Sequence, residues 1–308
     1  MTLADRGIVL AATPLGDVAD ASDHLRQLLA SADLIAAEDT RRLRDLARRL
    51  DVRITGQVVS FYDQVERSRL PRLLAAARQG VVAVVSDAGL PLLCDPGFAL
   101  VRAAIAADVP VTCAPGPSAA LTALVLSGLP TDRFVFDGFV PRGGAARAAW
   151  LDQLVREPRT VVAFESPRRV AQTLSDAVDR LGAARPAVVA RELTKPHQEL
   201  IRGSLAELAS QAAARELKGE ITLVIGGVSA GTAEPEAAAL AGLLEQIEQR
   251  VGRGEGLKTA TAAVAEAAGL SRRVLYEAAL AARQAAGGHR DSGAALDRRG
   301  AGRADPPP

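Results

Sequence analysis

Short apolar runs alternate with amphipathic segments along the first part of the chain. The apolar runs lie at residues 7–12, 34–37, 81–85 and 109–113. Between them, apolar residues recur with helical spacing at 22–29, 41–50, 67–79 and 97–107. Strands that alternate with helices in this order form a mostly parallel sheet covered by helices. The pattern therefore predicts an α/β fold.

The same alternation continues in a second set of elements. Its strands are predicted at 134–136, 160–164, 187–190 and 221–225, and its helices at 145–155, 170–181 and 204–214. The spacing leaves room for a mixed strand order. We therefore expect two α/β domains, 1–126 and 127–228, joined by a hinge at 127–133, with a ligand cleft between them.

The composition changes after this second set. A linker, VSAGTAEPE, is predicted at 228–236, followed by a small helical domain at 237–284. Gly269 as a turn and Ser271 as a cap give that domain a helix-turn-helix pattern. Its basic residues leave open whether it packs on itself, forms a dimer contact or touches RNA. Residues 285–308 are rich in Gly, Pro, Arg and Asp, which predicts a disordered tail.

Composition limits the classes of function. The 308 residues are 48% apolar and carry a net charge of only +1, so whole-molecule attraction to nucleic acid is weak and local basic patches matter more. The N-terminal apolar run is too short for a signal peptide, and no run approaches the roughly 20 apolar residues of a membrane span. The sequence predicts a cytoplasmic protein without membrane contact. Cys94, Cys113 and three histidines show no metal-ligand spacing, so no metal is expected.

The predicted strands end in turn-forming clusters that carry the candidate chemistry. No glycine-rich dinucleotide turn, phosphate-binding loop or nucleophile elbow is present, which weakens the case for a nucleotide phosphate or an acyl-enzyme. The loop SDAGLPLLCDPG at 86–97 holds Asp87 and Asp95 but no basic residue. Its ligand should therefore offer hydroxyls, amines or positive charge.

Seven of these blocks resemble a known family. They are TPLGDVADAS at 13–22, AAEDTRR at 36–42, SDAGLPLLCDPG at 86–97, PGPSAALTAL at 115–124, GLPTDRF at 128–134, FESPRR at 164–169 and ARELTKPHQE at 190–199. In order and spacing they resemble the ribosomal RNA small subunit methyltransferase I family. That family belongs to the tetrapyrrole methylase-like (class III) methyltransferases that use S-adenosylmethionine.

This resemblance implies a fold, a reaction and partners. The fold is two α/β domains with S-adenosylmethionine in the cleft between them, plus a small C-terminal helical domain. The reaction is 2'-O-methylation of a cytidine ribose in the decoding region of 16S ribosomal RNA, with the RNA or the 30S subunit as substrate. A homodimer is also implied.

The resemblance carries cofactor residues onto two loops. They are Asp87, Ala88, Gly89 and Pro91 in the first loop, and Pro115, Gly116, Ser118 and Ala119 in the second. Ser118 either hydrogen-bonds the methionine part of the cofactor or only caps the helix that begins there.

Removal of the hydroxyl proton calls for a base. Asp87, Asp95, Glu165 and Glu192 are the candidates, and the sequence does not choose among them. Lys195 either stabilises the developing alkoxide, holds a phosphate, or forms a surface ion pair with Glu192 or Glu199.

Local basic groups beside the motif loops predict the RNA-binding face. They are Arg41, Arg42, Arg142, Arg147, Arg168 and Arg169. Phe61 and Tyr62 either stack on a base or pack in the core. Two other functions stay open: a methylase of a tetrapyrrole or another small acceptor, and a non-enzymatic RNA-binding protein of the same fold.

Overall fold

Two five-stranded sheets organise the chain up to Val228. A computed structural model describes the backbone of residues 6–228, 237–268 and 272–291, and the side chains of 6–228, 240–268 and 272–283. Residues up to Val228 cluster into one compact unit, and residues from Ser229 onward cluster into a second. Both sheets belong to the first unit.

The first sheet is entirely parallel. Its strands are β1 (Gly7–Ala11), β2 (Leu34–Ala37), β3 (Gln57–Ser60), β4 (Val81–Val85) and β5 (Val111–Ala114), in the order β3-β2-β4-β1-β5. The predicted parallel sheet is confirmed. Strand β3 was not predicted, because its four residues, QVVS, form a short and partly exposed edge strand.

Helices cover both faces of this sheet. They are α1 (Asp23–Ser31), α2 (Thr40–Arg49), α3 (Asp63–Gln79) and α4 (Phe98–Ala106). Successive residues of a strand point to opposite faces. Val9 accordingly lies in one apolar cluster with Leu28 of α1, whereas Ile8 lies in another with Leu73 of α3. Because all five strands run the same way, the loops after them meet at one edge.

The second sheet is mixed, an arrangement that the spacing of its elements had left open. Its strands are β6 (Phe134–Phe139), β7 (Thr160–Glu165), β8 (Pro186–Arg191), β9 (Glu199–Ser204) and β10 (Ile221–Ile225), in the order β6-β7-β10-β8-β9. Only β6 and β7 pair in parallel. Edge strand β9 was not predicted. One face is covered by α6 (Gly144–Leu154), α7 (Val170–Leu181) and α8 (Leu205–Ala214). Ser204 and Glu207 form a capping box that starts α8.

The other face of the second sheet is covered by α5 (Ala119–Ser127). Ala123 and Leu124 of this helix share an apolar cluster with Val162 and Val224 of the sheet. The predicted domain boundary at 126/127 falls inside α5, whose packing partner is the second sheet rather than the first. The sequence did not reveal that α5 packs on the second sheet, because the apolar face of a helix does not indicate which sheet it covers.

The second unit contains three helices in the described residues. They are α9 (Ala237–Gly252), α10 (Leu257–Ala268) and α11 (Arg272–Asp291), and Ile247, Val264 and Leu275 pack between them. The predicted Gly269 turn and Ser271 cap, and most of the linker, lie outside the described residues. Helix α11 continues to Asp291, beyond the start of the tail predicted at 285. Among the described helices, none is long and apolar enough to cross a membrane.

Candidate functional site

The loops after β1 and β4 are joined to each other at the carboxyl edge of the first sheet. The Thr13 N–H donates to the Gly89 carbonyl at 2.9 Å, and the Gly89 N–H donates to the Thr13 carbonyl at 3.0 Å. Gly89 has φ +80°, a conformation that a residue with a Cβ rarely adopts. A glycine is therefore required where the two loops cross.

A cavity of about 380 Å³ lies between this edge and the second sheet, and we call it the inter-sheet cavity. Its volume suits a small ligand. The first sheet contributes the loop after β4, and the second contributes the ends of β6, β7 and β10. Its walls include Asp87, Ala88, Gly89, Asp95, Ser118, Ala119, Phe139, Phe164, Glu165, Glu220 and Thr222. The structure thus brings together five of the eight predicted cofactor residues.

The remaining three predicted cofactor residues do not line this cavity. They are Pro91, Pro115 and Gly116. A Cβ on Gly116 would lie 3.0 Å from the Cβ of Ala12, so this glycine lets the loop after β5 pass close to the loop after β1. Gly116 thus contributes to the shape of these two loops rather than to the cavity wall.

Ser118 offers the cavity an unused polar group. The residue is only 6% exposed, and its Oγ has no hydrogen-bond partner in the part of the chain that the structure describes. It precedes α5 but makes no side-chain cap bond, which argues against the capping alternative. A buried hydroxyl without a partner costs about 1–3 kcal/mol, so this site is suited to a ligand that supplies one.

Asp87 is held by the neighbouring loop after β2. Its Oδ1 accepts from the Asp39 N–H at 3.1 Å, and its own N–H donates to Glu38 Oε2 at 3.2 Å. The guanidinium of Arg42 lies 3.1 Å from Oδ2. With both oxygens engaged by the protein, this carboxylate fixes the cavity wall.

Asp95 differs from the other candidate carboxylates. It forms no ion pair within residues 6–228, and burial raises its pKa to about 7, helped by the nearby carboxylates of Glu38 and Asp87. Burial also raises the pKa of Glu38. An unpaired carboxyl group that titrates near neutrality is suited to accept a proton.

The contacts of Glu165 indicate a structural role. Its side chain is fully buried and accepts from the Ser166 N–H and the Thr173 hydroxyl, each at 2.7 Å. The Arg169 guanidinium pairs with it and also donates to the Val140 carbonyl at 3.3 Å. These contacts hold the turn between β7 and α7.

Glu192 and Lys195 form an ion-pair cluster beside the loop after β1. Lys195 Nζ lies 2.8 Å from Glu192 and 3.2 Å from Glu220, whereas Glu199 pairs with Arg191 instead. Burial by itself would lower the pKa of Lys195, but the carboxylates of Glu192 and Glu220 outweigh it and raise that pKa. The ion-pair alternative is therefore the one the contacts support, with Glu220 in place of Glu199.

Two of the predicted RNA-binding arginines, Arg147 and Arg169, form ion pairs with carboxylates of the protein. Arg147 is 8% exposed and pairs with Asp176 at 2.6 Å, so its prediction as an RNA contact is wrong. Arg169 holds Glu165 as described, which removes it from the accessible basic face as well. Helical periodicity placed Arg147 on α6 but did not show that it faces inward. Arg142 and Arg168 are exposed.

Arg41 and Arg42 line a second cavity of about 480 Å³ between α2 and the loop after β1, which we call the α2 cavity. Arg49 lines it too and was not predicted. Arg42 and Arg49 are seven residues apart, which is about two helical turns, and this spacing could have indicated that both lie on one face of the helix. Phe61 is fully buried, so its stacking alternative is wrong, whereas Tyr62 is 40% exposed.

Comparison with known proteins gives consistent relationships. Residues 7–209 match the family model described as Tetrapyrrole (Corrin/Porphyrin) Methylases. The ribosomal RNA small subunit methyltransferase I of Mycobacterium bovis is 54% identical over 283 residues, covering 91% of this chain and 97% of that protein. The protein of the same name from Micromonospora olivasterospora is 39% identical over 272 residues, covering 88% and 85%.

Among solved structures, the uroporphyrin-III-C-methyltransferase of Thermus thermophilus superposes with a TM-score of 0.51 at 19% identity, covering 71% of this chain and 93% of that one. At that identity the likeness shows the fold alone.

Proposed function

Because this chain belongs to the tetrapyrrole methylase family and, within it, to the ribosomal RNA small subunit methyltransferase I family, we propose that it methylates the 2'-hydroxyl of a cytidine ribose in the decoding region of 16S ribosomal RNA. The observation that carries the proposal is the 54% identity across 97% of a relative named for that RNA. S-adenosylmethionine is the methyl donor of this methyltransferase.

The inter-sheet cavity is the proposed donor site. Ser118 supplies a buried hydroxyl in need of a partner, and Ala88, Gly89 and Ala119 present backbone at its wall. When bound, S-adenosylmethionine supplies a methyl group on a positively charged sulfur, which keeps the electron pair of the bond that breaks. The carboxyl group of Asp95, which forms no ion pair within residues 6–228, suits that positive charge and the amine of the donor.

Asp95 is the proposed base. The Asp95 carboxylate would accept the proton of the acceptor hydroxyl as that oxygen is methylated. Asp87, Glu165 and Glu192, the other candidates, each form an ion pair that occupies a carboxylate oxygen. They act as positioning residues, and Lys195 secures Glu192.

The RNA reaches this site across an exposed basic face. Arg41, Arg42, Arg142 and Arg168 remain its accessible members. A ribosomal RNA substrate implies a cytoplasmic protein. We also propose a homodimer, which is supported by the exposed apolar side chains of Phe98 and Ile105 on α4, 66% and 69% exposed. A light-scattering mass of one chain would contradict the homodimer.

Methyl transfer to RNA tests the proposal directly. Labelled S-adenosylmethionine is incubated with the protein and either 30S subunits or naked 16S RNA, followed by nuclease digestion and mass spectrometry of nucleosides. We expect 2'-O-methylcytidine, lost in Asp95→Asn and retained in Asp179→Asn, a control at an exposed carboxylate on α7.

Other outcomes point to the alternatives. A methyl group on the base would refute ribose methylation. Donor binding without transfer to either RNA would favour a small-acceptor methylase, and failure to bind the donor would favour a non-enzymatic protein.

A further inference from the structure

The α2 cavity and the inter-sheet cavity share a wall. Leu15, Glu38, Arg42 and Asp87 line both of them. A ligand in one cavity is therefore separated from a ligand in the other by single side chains. Methyl transfer needs the acceptor oxygen about 3–3.5 Å from the methyl carbon and aligned with it. The acceptor strand must accordingly pass beside the donor cavity, and the α2 cavity is a built concavity in that place.

Most charges that line the α2 cavity are already paired. Arg41 pairs with Asp39 at 3.1 Å, Arg42 with Asp87 at 3.1 Å, and Asp45 with Arg48 at 3.0 Å. In each pair the two charges compensate each other, so these groups leave little net charge for a ligand.

Two lining groups keep unused capacity. Arg49 has no carboxylate partner in the described residues, and its one hydrogen bond is a long contact of 3.4 Å to the Gly16 carbonyl. Glu38 accepts only the Asp87 N–H, through Oε2, within residues 6–228. A guanidinium with free donors recognises phosphate through two parallel bonds, and a free carboxylate oxygen accepts from a hydroxyl.

From this pair of groups we propose that the α2 cavity binds the ribose-phosphate backbone of the acceptor RNA strand, with Arg49 on a phosphate and Glu38 on a ribose hydroxyl. The site rests on the proposed RNA methylation and adds to it the place where the strand enters. Free phosphate alone uses only one of the two groups and binds weakly.

A matched pair of variants on α2 tests the site. Arg49→Gln removes the phosphate contact, whereas Arg44→Gln removes a charge that is also exposed but lines a different concavity beside the same helix. Steady-state KM and kcat are measured on whichever RNA substrate the wild type methylates. Binding of that RNA is titrated between about 50 and 200 mM salt, and donor binding is measured separately.

We expect Arg49→Gln to raise KM about tenfold and to lower the slope of log K against log salt by about 0.7–0.9, the value of one phosphate contact. Donor affinity should stay within about twofold, and Arg44→Gln should resemble wild type. Arg49→Lys should recover the salt slope but not the full affinity, because lysine lacks the planar fork.

The outcomes separate the two proposals. Equal effects of Arg49→Gln and Arg44→Gln would overturn the α2 site but leave the proposed RNA methylation intact. The same conclusion would follow if Arg49→Gln lowered donor affinity without changing the salt slope of RNA binding. If wild type transfers no methyl group to RNA, the proposed function fails and the site falls with it. A thermal melt of each variant identifies any that fails to fold, and Glu38→Gln, at the other group proposed to contact the strand, then serves as the second variant.

Discussion

Replacing Asp95 by Asn should abolish methyl transfer and at the same time stabilise the protein at alkaline pH. Asp95 is partly buried beside Glu38 and Asp87, and this environment raises its pKa from 3.8 to about 7. The folded state therefore disfavours the charged form. Stability is greatest below the pKa of the unfolded chain and falls as pH rises through the pKa of the folded protein. Asn occupies nearly the same volume without that charge.

The size of the effect follows from the shift. About three pKa units at about 1.4 kcal/mol each give an upper limit of about 4 kcal/mol. Water reaches the carboxylate at the cavity wall and screens it, so we expect about 1–2 kcal/mol at pH 8. The difference in unfolding free energy between Asp95→Asn and wild type should grow from near zero at pH 4 to its full value above pH 7.

Urea unfolding at a series of pH values measures this difference. The single tryptophan, Trp150, is buried on α6, so its fluorescence reports the unit that contains Asp95. Asp179→Asn, at an exposed position, should give a difference that does not grow with pH. An Asp95→Asn protein that is less stable than wild type at pH 8, or a difference equal at pH 5 and pH 8, would refute the reasoning.

Three further predictions follow from buried contacts. Ser118→Ala should weaken donor binding about tenfold, as measured by calorimetry. Thermal stability should not fall, because the hydroxyl that is removed has no protein partner in the described residues. An unchanged affinity would place the donor elsewhere. Arg147→Gln should lower the free energy of unfolding in urea by about 2 kcal/mol, because it removes the ion-pair partner of Asp176. The salt dependence of RNA binding should stay the same. A weaker salt dependence would restore Arg147 as an RNA contact. Gly89→Ala should reduce both stability and donor binding, because φ at this position is +80°; wild-type behaviour in both assays would contradict the argument from the loop crossing.

Several misses have a common physical origin. The edge strands β3 and β9 were not predicted, because each is short and only partly buried, so neither shows a strong apolar pattern. The helix start at Ser118 was predicted, but not the sheet that α5 covers. Arg147 and Arg169 were predicted to face RNA, yet Arg147 pairs with Asp176 of α7 and Arg169 pairs with Glu165, four residues earlier.

The alternation of strands and helices, the parallel first sheet and the family were readable from the sequence, since periodicity and motif spacing are local properties of the chain. The tertiary structure alone separated Asp95 from the other candidate carboxylates, because its burial beside Glu38 and Asp87 brings together carboxylates from different loops. The partners of Glu165 and Glu192, in contrast, are near neighbours in the sequence. Asp87 meets Arg42 across two neighbouring loops, and Glu192 meets Lys195 and the Glu220 amide beside the start of β10. The same is true of the α2 cavity, which exists because parallel strands bring the loops after β1 and β2 to one edge.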